Sequence, residues 1–285
     1  MDKKTLLELQ ITATKIRKNI IEQVFSAGSG HPGGSLSSAE VFTALYFYEM
    51  NVDPKNPKMA DRDRFVLSKG HCSPGLYATL SARGFFPEED LKGFRSIDSY
   101  LQGHPSMKDV PGVDMSTGSL GQGISAAVGM ALSGKIYNKN YRVYALLGDG
   151  ELEEGQVWEA FMSAAHYKLD NLMAFVDYNG LQIDGKICDV MNPGCIKSKF
   201  EAFNWNVINV EDGNDMESVI STFEKAKEFK GKPTIVILNT IKGKGVSYME
   251  GDYGWHGKAP NQEERDLAIK ELNEKLQELE GVKNV

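Results

Sequence analysis

Asp149 and Asn179 stand thirty positions apart, each just after an apolar run. Val143-Tyr144-Ala145-Leu146-Leu147 leads into Gly148-Asp149-Gly150, and Leu172-Met173-Ala174-Phe175-Val176 leads into Asp177-Tyr178-Asn179-Gly180. A carboxylate and a carboxamide are hard oxygen donors. With one nearby carbonyl they would hold a divalent cation and leave coordination positions for ligand oxygens, the usual Mg²⁺ pattern. The flanking glycines let the backbone turn tightly and approach a phosphate closely. This spacing predicts a metal-diphosphate site. The two runs read as buried parallel strands, with Glu153 to Leu169 as the crossover helix between them. Both strands then end at one edge of a sheet, where open α/β sheets bind their ligands.

Four of the five histidines, His31, His71, His104 and His256, lie in glycine-containing loops, whereas His166 falls in the crossover helix. A single loop histidine is ordinarily just solvated, but four together point to imidazoles gathered around a ligand. His166 reads as a structural helix-face residue. Thr117-Gly118-Ser119-Leu120-Gly121-Gln122-Gly123 is a glycine-rich turn opening a helix, which offers free N–H groups and the positive end of a helix dipole to an anion. It departs from the Gly-x-Gly-x-x-Gly of dinucleotide binders, and no strand precedes it. Packing glycines at a helix start would explain the turn equally well. Ile241-Lys242-Gly243-Lys244-Gly245 would bring two lysines to the same sheet edge as point charges for a diphosphate.

The elements that must position these groups alternate along the chain. Leu6 to Ala27 has apolar residues at helical spacing and stops at Gly28, a glycine cap; a second helix is expected over Ser37 to Met50. Arg64 to Ser68 reads as a strand, followed by the Lys69-Gly70-His71-Cys72 loop and a helix with Pro74 in its first turn. A short helix is expected within Pro87 to Tyr100. Gln102 to Gly123 is a long loop, uncommon unless it serves a site. A loop through Asn192-Pro193-Gly194 then leads to a strand around Trp205 to Val210, a helix over Asp215 to Lys230, a strand over Thr234 to Leu238, and an amphipathic helix over Gln262 to Glu280 that packs on this chain or on a partner. The alternation predicts one α/β domain over residues 1–285, a parallel sheet flanked by helices.

Composition narrows the function classes. Hydrophobic content of 41%, 25% charged residues and a net charge of −7 suit a soluble protein with no nucleic-acid partner. No apolar run approaches membrane-spanning length, so no membrane partner is expected. Cys72, Cys188 and Cys195 form no paired motif and the first residues lack the apolar core of a signal peptide, which together suggest a reducing, cytoplasmic setting.

In the same order along nearly the whole chain, Ser29-Gly30-His31-Pro32-Gly33, Lys69-Gly70-His71, Gly103-His104-Pro105, the Thr117 to Gly123 turn, Gly148-Asp149-Gly150, Asp177-Tyr178-Asn179-Gly180-Leu181 and Trp255-His256-Gly257 resemble motifs of the transketolase family. The resemblance implies a thiamine-diphosphate (ThDP)-binding fold, with this chain as its diphosphate-binding domain. It implies that Asp149, Asn179 and the Leu181 carbonyl bind Mg²⁺ or Ca²⁺. It further implies that His71, Gly118, Leu120, Gly150, Lys242 and His256 contact the cofactor, and that Glu154, near the interface between active sites, also belongs to the cofactor-binding set. Glu153 and Glu154 also suit the first turn of a helix as acids that complement its dipole. His31, His104 and His256 match positions around the reacting carbonyl and hydroxyls of the sugar.

Family members are usually longer, with a pyrimidine-binding domain and a C-terminal domain following this one. The resemblance therefore implies one subunit of a split transketolase of the pentose phosphate pathway type, with a second chain supplying those domains in an α2β2 heterotetramer; a piece of a longer enzyme is the other possibility. The reaction implied is transfer of a two-carbon ketol unit from a ketose phosphate to an aldose phosphate. The alternatives are another ThDP enzyme, such as the deoxyxylulose-phosphate synthase type, and a non-catalytic nucleotide-binding module.

Overall fold

The computed structural model describes residues 1–283. The first helix, α1 (Lys3–Ala27), begins where the Asp2 carboxylate accepts the Thr5 N–H at 2.8 Å and ends at Gly28 in the left-handed conformation, as its apolar spacing predicts. The expected helix from Ser37 to Met50 is instead two pieces, α3 (Ala39–Ala44) and a π-turn (Leu45–Glu49), preceded by a separate α2 (Pro32–Leu36). Pro32 starts a helical turn earlier than hydrophobic spacing suggests. Ser37 and Ser38 then bond back to the Gly34 carbonyl at 3.1 and 2.9 Å and compete with the helical ladder.

Next come β1 (Arg64–Leu67), α4 (Ser73–Arg83), α5 (Gln122–Ile136), β2 (Val143–Gly148), α6 (Gly155–His166) and β3 (Leu172–Tyr178). A small antiparallel hairpin, β4 (Leu181–Gln182) and β5 (Gly185–Lys186), leads to α7 (Ile187–Val190) and α8 (Ile196–Ala202). Only a loop was expected there, because elements this short carry too little periodicity to read. The chain closes with β6 (Asn206–Val210), α9 (Met216–Glu228), β7 (Thr234–Asn239) and α10 (Gln262–Lys283). Pro87 to Tyr100 forms only a 3₁₀ segment, Glu88–Gly93.

The main sheet is parallel throughout, in the order β1-β2-β3-β7-β6. Its strands alternate between two apolar cores, which is why they read as continuous hydrophobic runs. Leu146, Phe175 and Val236 face the core beneath α1, α3, α4 and α9, while Ala145, Leu147, Val176 and Ile237 face the core beneath α5, α6 and α8. Register pairs Gly148 with Asp177 and Tyr178 with Asn239, so the segments after β2, β3 and β7 emerge side by side. The long segment after Gln102 lacks regular structure but is pinned along β1: Thr117 Oγ1 donates to the Leu67 carbonyl at its carboxyl end at 2.7 Å, and Asp114 accepts the Phe65 N–H at 2.8 Å. Helix α10 packs on α1 of its own chain, burying Ala268 and Leu272.

Phe161 on α6 is fully buried and meets Phe200 of α8 and Trp205 edge-on, at centroid distances of 5.0 and 4.8 Å. These contacts fasten α8 and the start of the chain that follows it to α6. Phe161→Ala should cost about 3–5 kcal/mol, seen as a lower urea midpoint at unchanged slope.

Candidate active site

At the carboxyl edge the site is built upward from a buried ion pair. Lys69, just beyond β1, places Nζ 2.7 Å from Asp177 Oδ2 near the end of β3, with both side chains 2% exposed. Lys69 also donates to the Gly34 carbonyl and to Ser38 Oγ; Asp177 accepts from Ser37 Oγ, Asn179 Nδ2 and Thr240 Oγ1. Burial alone would raise the Asp177 pKa, but Lys69 and the hydroxyls hold it below the usual carboxylate value, while Asp177 holds Lys69 above its own. The pair is therefore charged and satisfied.

The expected cation ligands lie directly above it. Asp149 is buried, with Oδ2 accepting the Gly180 N–H at 2.6 Å and Oδ1 the Gly150 N–H at 2.9 Å. Gly180 makes this turn with φ +74°, a conformation glycine takes without strain. Asn179 gives its amide N–H to Asp177 at 3.0 Å, which turns its oxygen the other way; that oxygen also accepts the Leu181 N–H at 3.1 Å. The Leu181 carbonyl accepts from Lys242 Nζ at 3.1 Å. The Lys242 side chain thus already faces one of the three oxygen donors. Burial, and then the neighbouring Asp177, push the Asp149 pKa up to about 7 against the opposing pull of Lys242. A carboxylate so disposed, together with an amide oxygen and a carbonyl, suits a hard divalent cation. The Lys242 amine is held below its usual pKa by burial, with Asp149 and Asp177 opposing the shift.

Around these groups lies a cavity of about 260 Å³ whose lining includes His31, His71, Gly118, Leu120, Gly150 and His256. Three imidazoles form a triangle: His31 lies 5.1 Å from His71 and 5.5 Å from His256, and His71 lies 5.1 Å from His256, between ring centroids. Nδ1 of His31 and Nδ1 of His256 are buried and have no hydrogen-bond partner among the described residues. Burial lowers all three pKa values, His31 to about 4 and His256 to about 3, and nearby cations add to the effect. His104 stands apart at the rim, exposed, its ring 3.1 Å from where a side chain on Gly118 would begin. A side chain there would require the His104 ring to give by a few tenths of an ångström.

Several predicted groups fall elsewhere. Glu154 is exposed and outside the cavity, with its side chain beside Gly121. The helix it was expected to enter starts only at Gly155, after a 3₁₀ turn over Gly150–Glu153. Of the two lysines beyond β7 only Lys242 reaches the site; Lys244 pairs with Glu250 at 3.3 Å instead. His166 lies on the exposed face of α6. Reading motifs also left Lys69, Asp177 and Glu151 without roles. Glu151 is buried and accepts from Ser68 Oγ and from the Gly121 and Gly148 N–H groups, which ties the 117–121 turn to the end of β2. The available signal was an ionisable residue within three positions of the end of each of these buried strands.

Neutral, half-buried imidazoles have a measurable consequence. Between about pH 4 and 6.5 the unfolded chain binds protons that folded His31 and His256 do not, so stability should fall as pH drops through that window. The NMR ring-proton shifts of both residues should stay flat from about pH 8 to about pH 5; a midpoint near 6.5 would contradict their burial.

Comparison with known proteins agrees with this geometry. The family described as "Transketolase, thiamine diphosphate binding domain" matches residues 9–277. One of the subunits of the apulose-4-phosphate transketolase of Phocaeicola vulgatus is 44% identical over 276 residues, covering 97% of this chain and 98% of that protein. The 6-deoxy-6-sulfo-D-fructose transketolase subunit SqwG of a Clostridium species is 46% identical over 266 residues, covering 93% and 96%. Human transketolase is 42% identical over 277 residues, but this chain spans only 44% of its length. Among solved structures, a transketolase mutant from Pichia stipitis superimposes with a TM-score of 0.88 at 36% identity, over 94% of this chain and 40% of that one. Transketolase from Campylobacter jejuni gives 0.86 at 34% identity, over 97% and 43%. With its parallel sheet, its edge crevice and these matches, the chain belongs to the transketolase family, in which it corresponds to the thiamine-diphosphate-binding domain.

Proposed function

We propose that this chain is the diphosphate-holding subunit of a two-chain transketolase, which transfers a two-carbon ketol unit from a ketose phosphate to an aldose phosphate. The observation that carries the reading is the convergence of Asp149, Asn179 and the Leu181 carbonyl with Lys242 and three imidazoles in one crevice. Thiamine diphosphate would supply the carbanion chemistry. Asp149, Asn179 and Leu181 would hold Mg²⁺ or Ca²⁺, and Lys242 would set a positive charge against the diphosphate. Gly118, Leu120 and Gly150 offer a close-fitting wall on which the cofactor can rest, and His71 and His256 add imidazole N–H groups.

His31, His256 and His104 are proposed to hold and move protons at the sugar's carbonyl and hydroxyls. A neutral imidazole can accept a proton at one nitrogen while donating from the other, and burial keeps His31 and His256 neutral near pH 7. Glu154, exposed outside the crevice, is assigned to the junction with a second chain. That second chain would bring the pyrimidine-binding and C-terminal domains in an α2β2 assembly. Support comes from the relatives named as transketolase subunits, of which this chain covers 96–98%. One relative's name carries a phosphate sugar and another's a sulfo sugar, so the substrate proposed here is a ketose ending in a tetrahedral anion. A cytoplasmic setting is proposed from composition; among the described residues no helix is long and apolar enough to cross a membrane.

Two measurements check the reading. Calorimetric titration should show ThDP binding that depends on Mg²⁺, vanishes with chelator, and weakens on the order of 100-fold in Asp149→Asn, a loss of about 2.7 kcal/mol. Ketol transfer should appear only when the chain is mixed with its partner, without carbon dioxide release from pyruvate. Robust transfer by the isolated chain would sink the two-chain assignment.

A further inference from the structure

Lys242 enters the crevice from residues 241–245, a stretch without strand or α-helix, so its placement depends on what holds that backbone. Three side chains outside the crevice do this. Asn214 Oδ1 accepts the Ile241 N–H at 2.8 Å, and Arg17 Nε donates to the Lys244 carbonyl at 2.9 Å, so the two clamps flank Lys242. Glu40 joins them. Arg17 Nη1 and Nη2 donate to its two carboxylate oxygens at 2.7 and 2.6 Å, and Asn214 Nδ2 donates to Oε2 at 3.1 Å.

The same network grips the opposite wall of the site. Arg17 Nη2 donates to the Leu36 carbonyl at 3.3 Å and Asn214 Nδ2 to the Ser37 carbonyl at 3.0 Å, while Ser37 Oγ donates to Asp177 at 2.7 Å. Between the clamps, the Gly243 N–H donates to the Gly33 carbonyl at 3.0 Å. Gly243 has φ +78°, and a Cβ there would lie 2.3 Å from the Met249 carbonyl oxygen, so the loop has one path available.

Arg17 and Glu40 are buried, their side chains 8% and 7% exposed, and with Asn214 they line a separate cavity of about 340 Å³ rather than the crevice. A buried ion pair contributes little net stability, because desolvation offsets most of its attraction. Its planar two-point geometry does fix orientation, and lysine at position 17 could not reproduce the three-way grip.

We infer that Arg17, Glu40 and Asn214 are positioning residues that act through Lys242, setting where its ammonium stands in the crevice and so how firmly the crevice holds a diphosphate. The cofactor part of this inference rests on the function proposed above; the placement of Lys242 does not.

The test uses the full chain with Asn214→Ala, and Glu40→Gln as a second variant that keeps side-chain volume should the first fail to fold. Lysines are acetylated with acetic anhydride and the rate at each is followed by mass spectrometry. In wild type Lys242 and Lys69 are 3% and 2% exposed and should label slowly. In the variants Lys242 should label about tenfold faster while Lys69 is unchanged. Unchanged labelling at Lys242, or a parallel rise at both lysines, would overturn the inference, since the second means general loosening. Titration with ThDP and Mg²⁺ supplies the second arm. Asn214→Ala should weaken binding about tenfold in wild type but less than about twofold in a Lys242→Ala background, because the network works through that side chain. Equal losses in both backgrounds would overturn it. If wild type itself fails to bind ThDP, the proposed function falls, and the labelling result still decides whether the network places Lys242.

Discussion

The Lys69–Asp177 pair is the constraint on which the crevice depends. Two opposite charges with 2% exposure would be costly if either lost its partner, so each must be supplied with hydrogen bonds from several directions. Those bonds come from the Gly34 carbonyl, Ser37, Ser38, Asn179 and Thr240, which belong to the α2–α3 segment, the end of β3 and the end of β7. Satisfying one ion pair therefore draws together the separate stretches of chain that form the walls. It also orients Asn179, whose amide N–H must face Asp177 and whose oxygen is thereby turned away.

Above that base the electrostatics are divided by depth. Asp177 is stabilised in its charged form by Lys69, whereas Asp149, a short way off, has backbone N–H groups and Lys242 for company, and burial pushes its pKa up to about 7. Two carboxylates in one site with opposite shifts divide the labour: one is locked in a buried ion pair, the other is not. The histidines follow the same logic with the opposite sign. Burial in a region already holding Lys69 and Lys242 makes imidazolium unfavourable, so the rings stay neutral and able both to accept and to donate.

Much of this was legible in the chain. Asp149 and Asn179 were readable because buried parallel strands are uniform apolar runs that stop abruptly, and the polar residue beyond each stop must lie at the sheet edge. The glycine-capped α1 and the crossover through α6 followed from spacing for the same reason. What failed to read was local competition and distance. Ser37 and Ser38 break a helix by bonding backwards, a choice invisible to hydrophobic period. Lys242 and Lys244 are two residues apart and look alike, but one points into the crevice and the other pairs with Glu250.

The sequence by itself determined the parallel α/β fold, the strand ends that carry Asp149 and Asn179, and the set of loop histidines, because these depend on neighbours a few positions apart. Tertiary structure alone decided which ionisable groups share a dielectric and which face water. Asp177 bonds to a lysine 108 positions away, and Arg17 braces a carbonyl 227 positions away. No periodicity encodes such pairings, since they arise only when the sheet order β1-β2-β3-β7-β6 brings those strand ends side by side and the surrounding cores exclude the water that would otherwise separate the charges.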